Sequence, residues 1–528
     1  MFSRLIELIK EALRKMVAYK SISETVNDVQ MYTISEDMKD AVNLWRDIYK
    51  DEAPWLDDEQ GVYSLQLGKE ICQTLQSQVM SEMKSTITQP GNTAPVEDES
   101  STTEETKTRA SFLNSQYQKH LIKKLPSKLE QGMALGGMIF KPYVAGQNVY
   151  FDFCRQGSFI PIAFDDDNNI IDIAFPDQFI AGNYIYTKIE RQTFNAEHRT
   201  VVVENKAFKA QLRNNDDEEE QENLGLEIPL TSIGRWARID PEVTIENVDR
   251  PLFGFYRVPL ANNVDMDSPL GISVFSPAIK LIEKADRQFS RLDWEYEGGQ
   301  IAIDVDESAV NFSTGYFGSK PEMDDLRNRL YRSLDLGSDD TYKAFTPSLR
   351  DANYLSGLNR YLTRIEDLCG LARGSLSDVQ SEARTATEIK ILKQRTFITI
   401  TNNQQAIENA LNDAVYAMDV LTTLYELAPD GEYTTTTDWK DSILTDTDTE
   451  LNQKLQLVGE DILSKAEVRA WYTGEDEETA QAKIDEIASS TSSKMLNDLF
   501  SQNSENTLES SENDDDNPDG NNLDNSEE

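Results

Sequence analysis

Basic residues gather at two places in a strongly acidic chain, and such clusters can bind phosphate groups or acidic protein surfaces. The first cluster spans twelve residues and has Glu388 as its only acidic member. It comprises Arg384, Lys390, Lys393 and Arg395. The second comprises Arg327, Arg329 and Arg332. The sequence predicts contact with a polyanion or an acidic partner, or else pairing with acidic groups of the same chain.

The chain as a whole carries a large negative charge. Among its 528 residues, 51 Lys and Arg oppose 94 Asp and Glu, which gives a formal charge of -43. A protein that binds nucleic acid over its whole surface shows a basic footprint, so this class is excluded while a local basic stripe is not. No basic residue follows Lys494, and we expect residues 501–528 to be a disordered acidic tail.

The sequence offers no recognisable catalytic set. His120 and His198 are its two histidines and lie far apart, and the three cysteines have no metal-like spacing. A phosphate-binding loop, a nucleophile elbow and a zinc-binding helix motif are all missing from the sequence. We therefore predict no catalytic, cofactor-binding or metal site and no enzymatic activity. A metal-dependent hydrolase built from carboxylates is the remaining enzymatic alternative.

The basic clusters adjoin two helices with narrow apolar stripes, which we predict at 276–297 and 351–370. Ser276 is expected to cap the first, with Pro277 at its first helical position. Glycines stop both helices. The stripes repeat at spacings of three and four, which suits packing against like helices. Their members are Ile282, Ala285, Phe289, Leu292 and Tyr296, then Leu355, Leu358, Leu362, Ile365 and Cys369.

Between the two striped helices, residues 298–350 form a small mixed insert with a basic helix expected from Glu322 to Arg332. A Gly/Ser-rich loop at 371–384 leads to a long helix at 385–427, which opens with a capping box at Thr385 and Glu388. Its middle, residues 396–401, is almost entirely β-branched, so we predict a kink there.

The first half of the chain combines helices with hairpins. Residues 1–85 show helical periodicity, 86–108 is polar enough to be a flexible loop, and period-two runs from Met138 to Phe208 predict antiparallel strands. The sequence predicts an amphipathic helix over the first 19 residues, which we expect to dock on its own protein or a neighbouring subunit, with a membrane surface as the alternative. We expect neither a secretory signal nor a membrane span. The fold class is α+β, mainly α.

Three passages, taken in order, resemble portal proteins of tailed bacteriophages that infect Gram-positive bacteria. They are SPLGIS at 268–273 with the helix to Glu297, GLARGSL at 370–376, and TATEI at 385–389. The similarity covers residues 1 to about 500. It implies an α/β wing at 1–270, a stem of helices 276–297 and 351–370, a small α/β clip at 298–350, a channel loop at 371–384, a long kinked helix at 385–427 and a helical crown at 430–500.

The resemblance also implies a function. The protein would be a dodecameric ring at one capsid vertex, assembled in the host cytoplasm and retained in the virion, through which double-stranded DNA is packaged and ejected. Its partners would be the terminase large subunit, the major capsid and scaffolding proteins, and the head-tail connector. The DNA-channel candidates are Arg373, Arg384, Lys390 and Lys393, and the clip docking candidates are Arg327, Arg329 and Arg332. The alternative is a helical scaffolding or adaptor protein of the capsid that does not contact DNA.

Overall fold

The computed structural model describes residues 34–57, 61–90, 108–211, 224–299, 348–378, 386–439, 447–460, 462–473 and 477–489, together with five short strands between 302 and 345. The chain divides into two compact units, Met1–Lys440 and Asp441–Glu528. Three predicted features lie outside the described residues: the amphipathic helix at 1–19, most of the loop at 86–108, and the acidic tail at 501–528.

Four helices open the described part of the first unit. They are α1 (Glu36–Tyr49), α2 (Leu67–Val79), α3 (Arg109–His120) and α4 (Leu125–Leu135). α1 begins where the Ser35 hydroxyl accepts a hydrogen bond from the amide of Met38 at 3.3 Å, which satisfies one of the helix's unpaired donors. The apolar faces of α1 and α2 both pack against α4. Between α2 and α3 lies strand β1 (Met83–Thr88), so residues 86–88 are strand where the sequence had predicted flexible loop.

The period-two runs form antiparallel strands, as the sequence predicted. In chain order they are β2 (Gly137–Ala145), β3 (Asn148–Arg155), β4 (Ile160–Phe164), β5 (Ile170–Ala181), β6 (Tyr184–Asn195), β7 (Thr200–Gln211), β8 (Leu226–Ile228), β9 (Glu242–Glu246) and β10 (Gly254–Arg257). β4 to β8 pair in chain order, β9 also pairs with β7, and β10, β2 and β3 form a separate three-stranded sheet. The mixture of helix and antiparallel sheet is consistent with the α+β class.

The two striped helices are α5 (Ile279–Gly298) and α6 (Asp351–Cys369), and they pack against each other. Six members of the two stripes are buried: Ile282, Ala285, Leu292, Leu358, Ile365 and Cys369. The prediction for Ser276 was wrong. Ser276 lies in a 3-10 turn, Ser276–Ala278, and α5 has no side-chain cap. The chain enters the helix through a tight turn in which the Ser276 amide donates to the Ser273 carbonyl at 2.9 Å.

The insert between α5 and α6 contains five short strands. They are β11 (Ala302–Asp306), β12 (Phe312–Gly315), β13 (Gly318–Pro321), β14 (Tyr331–Leu334) and β15 (Tyr342–Phe345). β14 pairs in parallel with β11, and β15 pairs with β11 on its other edge. Arg332 therefore lies in a strand, opposite Asp304, and not at the end of the predicted basic helix. The backbone of β14 pairs with β11, which lies earlier in the insert. Local helical periodicity gives no sign of pairing between separate segments.

The long helix α7 runs from Ala386 to Leu424, 39 residues in place of the predicted 385–427. Residues 396–401 are α-helical throughout, and the bend expected there stays a prediction. α7 packs against β2 and β10. The approach is so close at Gly254 that an added Cβ would overlap the carbonyl oxygen of Ala410. After α7, strand β16 (Thr434–Trp439) pairs with β1, so residues up to Lys440 belong to the first unit although the sequence grouped 430–500 together.

In the second unit the described residues form helices α8 (Thr447–Gly459), α9 (Lys465–Thr473) and α10 (477–489). A capping box begins α9. The amide of Glu467 donates to the Ser464 hydroxyl at 3.0 Å, and the amide of Ser464 donates to the Glu467 carboxylate at 2.6 Å. The Lys454 ammonium lies 4.5 Å from the centre of the Trp471 ring, and this contact joins α8 to α9.

Candidate nucleic-acid interface

The predicted basic residues fall unevenly across the described parts of the chain. Arg373 lies in the loop after α6 with its side chain described. Lys390 and Lys393 lie in α7, and Arg332 lies in β14. For all three the structure describes the backbone but not the side chain. Arg327, Arg329 and Arg384 lie outside the described residues. The loop containing Arg373 is therefore the place where the candidate interface can be built atom by atom.

The loop begins at a glycine that ends α6. Gly370 has φ of +72°, in the left-handed region that favours glycine, and its amide donates to the Glu366 carbonyl. A Cβ at Gly370 would overlap the Thr399 hydroxyl of α7. The end of α6 is thus pressed against α7, and this contact sets the point at which the chain leaves the helix.

A buried carboxylate holds the next part of the loop. Glu366 is fully buried in the last turn of α6. Its Oε1 accepts hydrogen bonds from the amides of Gly374, Leu376 and Ser377 at 3.0, 2.7 and 2.7 Å, and its Oε2 accepts from the Ser377 hydroxyl at 2.9 Å. Burying a charge without partners is costly, so these four donors both compensate the carboxylate and define the path of the loop.

Asn359 anchors the loop two turns earlier on α6. Its Oδ1 accepts from the amide of Asp378 at 2.8 Å, and its Nδ2 donates to the Asp378 carbonyl at 3.2 Å. Asn359 and Glu366 are seven residues apart, so they share one helix face about 10 Å apart along the axis. The loop therefore turns at Gly370 and runs back along α6 for two helical turns.

Three arginines from three different elements converge on the neighbouring residue, Asp367. Arg373 of the loop donates from Nε and Nη2 to the two carboxylate oxygens, each at 3.1 Å. Nη1 of Arg364 on α6 and Nη1 of Arg395 on α7 each lie 3.9 Å from a carboxylate oxygen. The hydrogen bonds from Arg373 to Asp367 raise the pKa of that guanidinium above its ordinary value. We call Arg364, Arg373, Arg395 and Asp367 the arginine cluster.

The arginine cluster is open to solvent. The side chains of Arg364, Arg373 and Arg395 are 61, 42 and 62% exposed, whereas that of Asp367 is 18% exposed. Arg395 Nη1 also donates to the Asp367 carbonyl at 2.9 Å, which satisfies one of the carbonyl groups left unpaired at the end of α6. A cleft of about 300 Å³ lies alongside, with Asp367, Arg395 and Thr399 in its lining. Solvent-borne anions can therefore reach these guanidinium groups.

Sequence reasoning missed Glu366 and Asp367 and gave Arg364 no role. One signal was available. Two consecutive acidic residues in the last turn of a helix oppose the negative end of the helix dipole. Their presence in the turn before the Gly370 stop indicates that they serve another purpose, here the binding of loop amides and arginines. No periodicity rule would have identified those partners.

A second buried glutamate closes the base of the insert. Glu295, near the end of α5, accepts hydrogen bonds from the amide, Nε and Nη2 of Arg350 at 3.0, 3.1 and 2.7 Å. The guanidinium of Arg350 also lies 5.6 Å from the centre of the Tyr354 ring. These hydrogen bonds hold the pKa of Glu295 below its ordinary value. They join the residue before α6 to the end of α5, where the insert leaves and returns.

Comparison with known protein families identifies the family to which this chain belongs. A model of the family described as phage portal protein, SPP1 Gp6-like, matches residues 92–494, well over half of the chain. The chain belongs to this family. The resemblance noted in the sequence is thereby confirmed. Among curated proteins, none matches the chain.

Membership of the portal family gives the protein its broad role, that of an oligomeric structural component of the virion capsid. Across the part of the chain that the structure describes, no helix is both long and apolar enough to cross a membrane. Within those same residues, no group of three or more His, Cys, Asp or Glu side chains could hold a metal ion.

Proposed function

We propose that this portal-family chain forms a ring whose central channel conducts double-stranded DNA into the capsid during packaging and out of it during ejection. The chain acts as a conduit and not as an enzyme. The terminase large subunit supplies the motor activity, and the head-tail connector replaces it once the capsid is full.

The observation that carries the proposal is the loop that Glu366 and Asn359 hold along α6. A loop that must face moving DNA needs a defined path, because an unrestrained one would collapse onto the phosphates. Three backbone amides on one buried carboxylate supply that definition. Arg373 then lies on a solvent-accessible part of the held segment, where a channel loop would carry a phosphate contact.

Exposed apolar side chains on the paired helices support assembly into a ring. Trp294 and Tyr296 near the end of α5 are 68 and 43% exposed, and Leu355 near the start of α6 is 45% exposed. Large apolar side chains left open at one end of a helical pair are typical of surfaces that meet another subunit. We assign these residues to contacts with neighbouring copies, and dodecamers are the expected assembly.

The remaining parts are assigned in the same proposal. Residues 1–270 are the wing, 276–297 and 351–370 the stem, and 298–350 the clip. Residues 371–384 are the channel loop, 385–427 the long helix and 430–500 the crown. The wing contacts the major capsid and scaffolding proteins. The clip docks the terminase and later the connector through Arg327, Arg329 and Arg332, while Arg384, Lys390 and Lys393 accompany Arg373 near the channel.

Electron microscopy and packaging together test this proposal. The purified full-length chain should form rings with a central hole. In a purified packaging system, Arg384→Glu combined with Lys390→Glu should leave rings intact and abolish DNA uptake. A matched control, Arg199→Glu with Arg235→Glu, makes the same change in charge in two turns that connect strands of the large sheet and should package normally. Monomers or dimers at every concentration would instead favour the scaffolding or adaptor function, and normal uptake by the first variant would contradict the channel contact.

A further inference from the structure

The arginine cluster combines two properties that bear on how strongly DNA is held. Its three guanidinium groups come from α6, the loop and α7, and all face one carboxylate. All three are substantially exposed. We propose that Asp367 is a built-in competitor for DNA phosphate, which occupies Arg373 when no phosphate is near and so keeps the affinity of the channel loop for DNA low. The inference rests on the proposed function.

The geometry of the Arg373 pair explains why exchange is feasible. Arg373 presents Nε and Nη2 side by side, and both distances to Asp367 are 3.1 Å. This fork accepts a carboxylate and a phosphate in the same bidentate manner. A passing phosphate can therefore replace Asp367 without any change in the way the guanidinium donates. One charge-assisted pair is lost and a similar one is formed, so the exchange is nearly balanced.

Asp367 reduces the positive charge that the arginine cluster presents to DNA. Within the cluster, three guanidinium groups face a single carboxylate, so the cluster stays cationic while Arg373 is paired. Arg364 and Arg395 approach that carboxylate only to 3.9 Å, and they attract an incoming anion to the same place. The neighbouring carboxylate of Glu366 is buried and already accepts four hydrogen bonds from the loop. The charge of Asp367 therefore determines how strongly the arginine cluster attracts the phosphates of DNA.

The partner that this chemistry selects is the backbone of double-stranded DNA, whose phosphates recur at short intervals. Repeated, weak and interchangeable phosphate contacts allow a duplex to move past, whereas unopposed arginines would retain it. Asp367 is a residue that positions and neutralises Arg373, and DNA does not have to touch it.

Binding of a short fluorescent duplex to the assembled full-length protein tests the inference. Asp367→Asn keeps the shape of the side chain but removes its charge. Each additional phosphate contact steepens the salt dependence, so the loss of affinity between 50 and 200 mM salt should grow about threefold per contact, with tighter binding at the lower salt concentration. Adding Arg373→Gln to Asp367→Asn should return the salt dependence to that of the unmodified protein.

Asp351→Asn is the matched control. It removes the same charge from the first turn of the same helix, 16 residues away. Because this corresponds to about 24 Å along the helix axis, well beyond the Debye length of about 8 Å at physiological salt, its effect on the electrostatic potential at the arginine cluster should be small. If Asp367→Asn binds DNA no differently from Asp351→Asn, with rings intact, the inference is overturned.

If Asp367→Asn does not assemble, Arg373→Gln alone provides the test. It should weaken the salt dependence, and an unchanged salt dependence would overturn the inference.

Two further results separate this inference from the proposed function. If the unmodified ring packages DNA while Asp367→Asn packages at the same rate and binds DNA equally, the inference fails and the conduit stands. If the unmodified ring neither packages nor binds DNA, the conduit fails and takes the inference with it.

Discussion

Helix α6 is connected at both ends through a buried glutamate, and the two connections differ in the groups they use. At its start, Glu295 of α5 accepts two guanidinium N–H groups and one amide, all from Arg350. At its end, Glu366 accepts three amides and a hydroxyl from the loop and no cation. The first connection joins two helices through one ion pair, whereas the second determines the backbone path of a short loop.

This difference bears on what each segment can do. The base of the insert is held by an ion pair between Glu295 and Arg350, which salt and acid can weaken. The start of the loop is held along its own length by neutral donors, so its conformation should persist where ionic strength varies. A region that docks exchanging partners and a region that faces moving DNA would need these different kinds of support.

The largest effect should come from replacing Glu366. In Glu366→Leu the amides of Gly374, Leu376 and Ser377 lose their acceptor, and each hydrogen bond to a charged group contributes about 1.5–3 kcal/mol. The free energy of local opening of the loop should fall by about 3 kcal/mol or more. Hydrogen exchange at Leu376 and Ser377 should then be more than a hundredfold faster. Glu366→Gln keeps an acceptor and should show a smaller change. Unaltered exchange in Glu366→Leu would show that the loop holds its path without the carboxylate.

A smaller effect is expected at the glycine that begins the loop. Gly370→Ala must keep a positive φ at a cost of about 1–2 kcal/mol, and its methyl group would also overlap the Thr399 hydroxyl. Thermal unfolding should show a lower melting temperature. In a Thr399→Ala background the overlap is removed, so the same substitution should cost less. Equal costs in both backgrounds would mean that the contact with α7 does not constrain the turn.

The smallest effect should be at the base of the insert, and it should depend on pH. The pKa of Glu295 lies below its ordinary value of 4.5, so protonation favours the unfolded chain. The stabilising contribution of the Arg350 pair is therefore complete above about pH 4.5 and is lost as the pH falls through the lower folded pKa. The difference in melting temperature between the unmodified protein and Arg350→Ala should shrink over that range. A difference that is constant from pH 7 to pH 3 would contradict the assigned role of the pair.

Much of the helical framework was predictable from local patterns. Spacings of three and four with glycine stops predicted α5 and α6, and α7 was predicted within three residues at each end. Alternating apolar residues predicted the hairpins of the large sheet. These features follow from side-chain periodicity within a few turns or along one strand, which the sequence shows directly.

The features that were missed depend on the folded path of the chain, which local patterns do not show. β1 pairs with β16 across some 350 residues, and Arg332 is in a strand because β14 pairs with β11. The function of Glu366 depends on how the chain turns at Gly370 and then runs back along α6. A carboxylate in a helix is most often solvated, and only the folded path of the loop distinguishes this one from the many other acidic residues of the chain.

We have proposed that the protein is a DNA conduit whose channel loop is held along α6 by Glu366. An electron cryo-microscopy map of the assembled full-length protein would show both features. We expect a closed ring in which residues 371–378 border the central hole and the Glu366 carboxylate accepts hydrogen bonds from the amides of Gly374, Leu376 and Ser377. A ring with this segment on its outer surface, or with Glu366 detached from the loop, would contradict the proposal.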